Sequence, residues 1–200
     1  MAQASDSRLI ILDRDGVINE DSDAFVKSVD ECVPIPGSID AICRLSKAGY
    51  TVVVATNQSG IARGLLDEYT LAHIHQYLAD LVEQSGGMIA GFFYCPHGPE
   101  DGCFCRKPEP GLIDRISAEF ASSVEGVPFV GDSLRDLQAA NAAACLPVLV
   151  RSGKGESTLA EGLAAPVADC LVYPDLAAFA DAWLEGDSSS DPGIYGAGYK

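Results

Sequence analysis

Short apolar runs alternate along this chain with segments of helical period, and several of the runs end in a small polar or acidic residue. Leu9-Ile10-Ile11-Leu12 leads straight into Asp13; Thr51 to Ala55, nearly all β-branched, leads into Thr56-Asn57; and Val127 to Val130 leads into Gly131-Asp132. Runs that are apolar on both faces belong to strands covered on both faces. The intervening periodic segments supply that cover. The pattern therefore predicts an α/β fold, a Rossmann-like open parallel sheet with helices on both faces.

The helices read as follows. Pro36-Gly37 opens one with Ile39, Ile42 and Leu45 on a face, stopped at Gly49. Asp67 starts a long one through Gln84, with Leu71, Ile74, Leu78 and Leu81 in a stripe. Gly111 to Phe120, Leu134 to Ala144 and Leu176 to Leu184 complete the set, while Ile89 to Tyr94, Pro147 to Val150 and Cys170 to Val172 are further strands. From Gly186 the chain is rich in Ser, Asp and Gly without periodicity. The expected organisation is one domain over 1–185 and a disordered tail over 186–200.

Composition bounds the partners. With 48% apolar residues in 200, the chain can build one continuous core. No apolar run approaches the ~18 residues of a membrane span, and Met1 to Arg8 lacks a signal pattern. A net charge of −16 argues against nucleic acid, whose backbone is bound by displacing counterions with Lys and Arg. A cytoplasmic, monomeric enzyme is expected. Any anionic substrate must meet a local patch of cations set against the protein's own field.

Ligands of open α/β sheets sit beyond the carboxyl ends of the strands, so Asp13, Asp15, Thr56, Asn57 and Asp132 should converge. Asp13-Arg14-Asp15-Gly16 is the strongest signal, because residues two apart on an extended chain face the same way. Two neighbouring carboxylates repel unless a cation intervenes, which suits magnesium, a hard ion that takes oxygen ligands. Asp13 could then attack phosphorus while Asp15 handles the proton of the leaving group; a surface turn is the alternative reading.

Cys95-x-His97, five residues, then Cys103-x-Cys105 offers four ligands in one loop, the count of a closed tetrahedral zinc site. Such a site has no position left for water, so its expected role is structural, fixing a loop that aims Arg106 and Lys107. A disulfide or coincidence is the alternative. Cys32, Cys43, Cys145 and Cys170 stand in apolar company and read as buried hydrophobes.

The segments Asp13-Arg14-Asp15-Gly16-Val17-Ile18-Asn19, Thr56-Asn57-Gln58-Ser59-Gly60, Arg106-Lys107-Pro108 and Gly131-Asp132-Ser133 occur in that order and resemble the four motifs of the haloacid dehalogenase superfamily of phosphatases. The resemblance covers roughly residues 9–150. It implies an aspartyl-phosphate intermediate on Asp13, Asp15 as general acid and base, and Thr56 and Lys107 on the phosphoryl oxygens. It also implies magnesium on Asp13, Asp132 and the backbone carbonyl of Asp15. Asp136 could join that fourth motif, but Ser133-x-x-Asp136 is also a capping box, which is the favoured reading.

The Cys-x-His…Cys-x-Cys-Arg-Lys-Pro loop, taken with Thr56 to Gly64, is similar to the D-glycero-D-manno-heptose-1,7-bisphosphate 7-phosphatase family, in a subgroup with the histidinol phosphatases. That likeness implies loss of the 7-phosphate from a small sugar bisphosphate, in nucleotide-heptose synthesis for lipopolysaccharide or surface glycans. Substrate contacts are implied at Asp21, Ser22, Asp23, Ala24, Asn57, Gln58, Ser59, Arg106 and Ser133. Ser133 replaces a lysine found in some relatives, which leaves the grip on the second phosphate and the anomer open. Histidinol phosphate, a polynucleotide 3′-phosphate and a catalytically inactive zinc-binding module are the competing readings. No large cap domain fits between the first two motifs.

Overall fold

The computed structural model describes residues 8–188. Six strands form one sheet: β1 (Leu9–Leu12), β2 (Thr51–Asn57), β3 (Gly91–Cys95), β4 (Pro128–Gly131), β5 (Leu146–Val150) and β6 (Leu171–Tyr173). Their order is β3-β2-β1-β4-β5-β6 and every pairing is parallel. The chain winds outward from β1 to β3, returns beside β1 and winds out the other way. β1 and β4 thus flank the point where the order reverses, and a crevice opens there because the connections leave in opposite directions.

Six helices cover the sheet: α1 (Ser38–Lys47), α2 (Glu68–Gln84), α3 (Gly111–Glu119), α4 (Leu134–Ala142), α5 (Gly155–Glu161) and α6 (Leu176–Ser188). Alternation along β1 explains the layers. Ile10 and Leu12 pack with Ile42 of α1, Leu71 and Ile74 of α2 and Phe179 of α6. Leu9 and Ile11 pack on the other face with Ile113 and Ile116 of α3 and Ala139 of α4. No cap domain interrupts this arrangement among the described residues; the segment between β1 and α1 folds over the crevice, held by single bridges of Asn19 to Asp15 and to Pro34.

Several details differ from the sequence reading. β2 runs on to Asn57, so Thr56 and Asn57 end the strand instead of following it. β3 starts two residues late and includes Cys95. The buried stripe of α2 is Leu71, Ile74, His75, Leu78 and Val82; Leu81 lies at its edge, and a histidine takes an apolar place. α5, seven residues without apolar period, was not foreseen. α6 continues to Ser188, past the expected end at Leu184 and into the start of the expected tail, whose remainder lies outside the described residues. Cys32, Cys43 and Cys145 are buried as expected, whereas Cys170 is only half-buried.

Candidate active site

Asp13 leaves β1 with its N–H on the carbonyl of Val130 in β4 (2.8 Å), which ties it to the reversal point. Its Oδ1 accepts from the N–H of Arg14 (2.7 Å) and lies 2.9 Å from Lys107 Nζ. Asp132, just beyond β4, accepts the N–H of Lys154 on Oδ2 (2.8 Å). Asp136 completes a group of three carboxylates whose oxygens lie within 4.8 Å of one another. Gly16 is obligatory here: at φ 79 a Cβ would collide with the Asp132 carboxylate.

Lys107 is the cation of this cluster. Its buried ammonium touches Asp13 Oδ1, Asp136 Oδ1 (2.6 Å) and the carbonyl of Ala55 (2.8 Å). Burial alone would depress it, but the charges of Asp13 and Asp136 outweigh that and hold it above its usual range. One ammonium cannot neutralise three carboxylates. Burial, with Asp136 and Asp15 adding to it against Lys107, pushes Asp13 up to about 7, and burial with Asp136 and Asp13 pushes Asp132 up to about 8. Asp136 alone stays low, because Lys107 and Ser133 overcome its burial. Two buried oxygen ligands at the mouth of a crevice, each favouring a proton for want of positive charge, fit a hard divalent cation.

Asp136 therefore does both things between which the sequence had to choose. It closes the capping box with Ser133, accepting from its N–H (3.0 Å) and its Oγ (2.5 Å), and it pairs with Lys107. Ser133 lines the cleft, but its hydroxyl is committed to this cap.

Asp15 faces the same cleft yet stays out of the carboxylate group. Arg14 Nη2 donates to both its oxygens (2.8 and 2.9 Å) and Nε to Oδ1 (3.1 Å), with Asn19 Nδ2 on Oδ1 and Gln58 Nε2 on Oδ2, each at 2.9 Å. Burial raises its carboxyl, but Arg14 and the Asn19, Arg14 and Gln58 hydrogen bonds more than reverse this and hold it below the usual range. Gln58 also donates to Thr56 Oγ1 (2.9 Å), tying the ends of β1 and β2 together. The Asn57 carboxamide turns to the backbone of Lys107, so both amides serve first to place the machinery.

A cleft of about 280 Å³ opens above these groups, lined also by Asp21, Ser22, Asp23, Ser59 and Arg106. Ala24 lies outside its lining, with its carbonyl on Lys27 Nζ (2.7 Å). Arg63, Arg135 and Lys154 line it too, and the motif reading did not single them out. Arg63 stacks its guanidinium 5.5 Å over Phe25, Arg106 is held by the carbonyl of His97 (3.1 Å), and Lys154 pairs with Asp21 (2.5 Å). Burial, then Arg135, and more weakly Arg63, lower Arg106, because the three cations share one side of the cleft.

The four zinc-type ligands meet at the end of β3. Cys95 Sγ lies 3.5 Å from His97 Nδ1, 3.6 Å from Cys103 Sγ and 3.3 Å from Cys105 Sγ; Cys105 Sγ lies 3.6 Å from Cys103 Sγ and 3.3 Å from His97 Nδ1. A tetrahedron with Zn–S bonds of ~2.3 Å has edges of about 3.8 Å, so the donor set fits zinc closely. Arg106 hangs on His97, whereas Lys107 has its own anchor in Asn57.

A family model described as HAD-hydrolase-like matches residues 104–179. The D-glycero-beta-D-manno-heptose-1,7-bisphosphate 7-phosphatase of Pseudomonas putida is 56% identical over 173 residues, covering 86% of this chain and 97% of the relative. The enzyme of the same name from Pseudomonas aeruginosa is 54% identical over 177 residues, covering 88% and 98%. The crystal structure of D,D-heptose 1,7-bisphosphate phosphatase from B. bronchiseptica, complexed with magnesium and phosphate, superposes with a TM-score of 0.86 at 54% identity, covering 89% of this chain and 98% of that one.

Proposed function

Since this chain belongs to the D-glycero-beta-D-manno-heptose-1,7-bisphosphate 7-phosphatase family, we propose that it removes the 7-phosphate of that bisphosphate and leaves the 1-phosphate in place. The observation that carries the reading is that one cleft holds two sets of charges. Asp13, Lys107 and Asp132 are buried, and Arg63, Arg106 and Arg135 are the more exposed cations of the same lining. A substrate with phosphate at both ends satisfies both sets. Histidinol phosphate carries an amine at its far end, which three guanidinium groups would repel.

Magnesium fits on Asp13, Asp132 and the carbonyl of Asp15, where it supplies positive charge to the transferring phosphoryl group and lowers its repulsion of a carboxylate nucleophile. Asp13 attacks phosphorus in line with the phosphorus–oxygen bond to C7, which breaks as the acyl phosphate forms. Asp15, ionised in the free site, takes up a proton from solvent and passes it to the departing alkoxide, then takes one from the water that attacks the same phosphorus; phosphate leaves and Asp13 is regenerated. Lys107 stays on the phosphoryl oxygens throughout, with the Thr56 hydroxyl beside it. Asp136 keeps the ammonium charged and in place. Asp21 to Asp23, Ser59 and Arg106 contact the sugar and its second phosphate.

Zinc on Cys95, His97, Cys103 and Cys105 has a structural part, holding the loop that carries Arg106. All seven thiols are unpaired, which suits a monomer working in the reducing cytoplasm. The β-anomer is the proposed substrate, as in the names of the relatives. Phosphate release from the two heptose 1,7-bisphosphate anomers, from fructose 1,6-bisphosphate and from histidinol phosphate tests the reading. The β-anomer should give the highest kcat/KM, and a preference for histidinol phosphate would overturn it.

A further inference from the structure

Arg14 is completely buried, although it sits between the two aspartates of the reaction. Three of its contacts go to Asp15, from Nε and Nη2. The other terminal nitrogen, Nη1, turns the opposite way and meets Nε2 of His75 at 3.5 Å. His75 comes from the middle of α2, on the buried side of the helix. Its ring lies flat on Phe92 of β3, centroids 4.4 Å apart and planes within 11°.

A buried guanidinium with an unmatched N–H carries a desolvation cost, so the group on Nη1 helps decide where the fork rests. His75 is suited to that place. Burial, and then the charge of Arg14, depress it to about 3, so the ring is neutral at physiological pH and keeps a lone pair for Nε2 to offer. The stack on Phe92 fixes the plane of the ring and thus the direction of that lone pair.

We infer that His75 is a positioning residue for the acid–base carboxylate of Asp15, acting through the buried guanidinium of Arg14. The chain of contact Phe92–His75–Arg14–Asp15 runs from the outer strand β3 through α2 to the end of β1. It sets the angle at which the Arg14 fork meets Asp15, and so where the carboxylate stands relative to the leaving oxygen. The inference rests on the acid–base part given to Asp15 above.

His75→Phe keeps the stack and the volume but removes the acceptor, whereas His75→Gln keeps an acceptor and loses the stack. A carboxylate displaced by about 1 Å can cost up to about 10²-fold in rate. His75→Phe should therefore lower kcat on the sugar bisphosphate by roughly 10-fold to 10²-fold with KM nearly unchanged. It should cost an aryl phosphate, whose leaving group needs no proton, several-fold less, because there only the later water step still calls on Asp15. His75→Gln should recover most of the loss. In an Asp15→Asn background the His75→Phe change should cost nothing further, since the two act as one unit.

Equal losses on both substrates, no recovery with Gln, or an undiminished cost in the Asp15→Asn background would overturn the inference. If Asp15→Asn alone harmed both substrates equally, the acid–base reading itself would fall, an outcome distinct from a silent His75. Should His75→Phe not fold, His75→Met takes its place. Failure of both to fold would make His75 a part of the core only and would likewise overturn it.

Discussion

The carboxamide of Asn57 closes two hydrogen bonds on the backbone of Lys107, donating from Nδ2 to its carbonyl at 3.0 Å and accepting from its N–H at 3.1 Å. The last residue of β2 thereby holds the cation of the carboxylate cluster through its main chain. The ammonium is left to Asp13, Asp136 and the carbonyl of Ala55.

Asn57→Ala should move Lys107 without touching its charge. A shift of about 1 Å predicts a fall in kcat on the order of 10²-fold. Zinc content and the magnesium requirement should stay near those of the parent. Steady-state kinetics with metal analysis check this; a variant that loses zinc, or changes only KM, contradicts the anchor assigned to Asn57.

Replacing Cys103 and Cys105 together with Ser should remove zinc, because two of the four ligands go and binding is coupled to the fold of the loop. Arg106 hangs on His97 in that loop, while Lys107 is also held by Asn57 from outside it. KM for the bisphosphate should thus rise more than kcat falls. The rise should shrink for a sugar monophosphate that has no second phosphate to lose. A collapse of kcat with KM unchanged would return Lys107 to the control of the zinc loop.

Asp13→Asn should abolish turnover with the fold retained, since the amide is nearly isosteric and cannot attack phosphorus. Asp15→Ala should slow sugar bisphosphate hydrolysis by about 10²- to 10⁴-fold, the range for a lost general acid–base, and aryl phosphate hydrolysis by much less. The ratio of the two rates is the measurement. An unchanged ratio would take the proton from Asp15.

Stability should fall with rising pH when metal is absent. Asp13 and Asp132 sit at about 7 and about 8 in the fold against an ordinary 3.8, so the folded chain binds their protons more tightly than the unfolded chain does. That contribution is complete below the ordinary carboxylate value and is lost as pH rises through the folded values. Asp15 and Asp136, held low, act with the opposite sign, but theirs is complete above the ordinary value and does not vary across neutral pH. Metal-stripped protein should melt lower at about pH 8.5 than at about pH 5.5. Magnesium should raise Tm more at the higher pH, because cation and protons compete for the same oxygens. A larger effect of magnesium at the acid end would refute the assignment of these carboxylates as its ligands.

The sheet and the Cys–His cluster were legible because each depends on neighbours in the chain. Leu9 to Leu12 had to be a buried strand whatever followed, and Cys95, His97, Cys103 and Cys105 lie within one short loop. Helix α5 was not legible, since seven residues with two buried positions make no period. His75 was hidden for a related reason: it occupies the place next to Ile74 that an apolar stripe would fill, and only its neighbours show what it does there.

The sequence alone determined which groups stand near the reversal point of the sheet, because Asp13 and Asp132 follow their strands, Thr56 lies in the last two residues of its own, and the direction of a strand fixes where its end lies. Tertiary structure decided which of those groups hold one another. Asn57 and Lys107 are 50 residues apart, and His75 and Arg14 are 61 apart. Whether such pairs meet depends on strand register and on the turn of a helix over the sheet, here Thr56 beside Tyr94 and His75 flat on Phe92. A hydrogen bond needs its atoms placed to within a few tenths of an ångström, and only the packed core of the folded chain sets distances that finely.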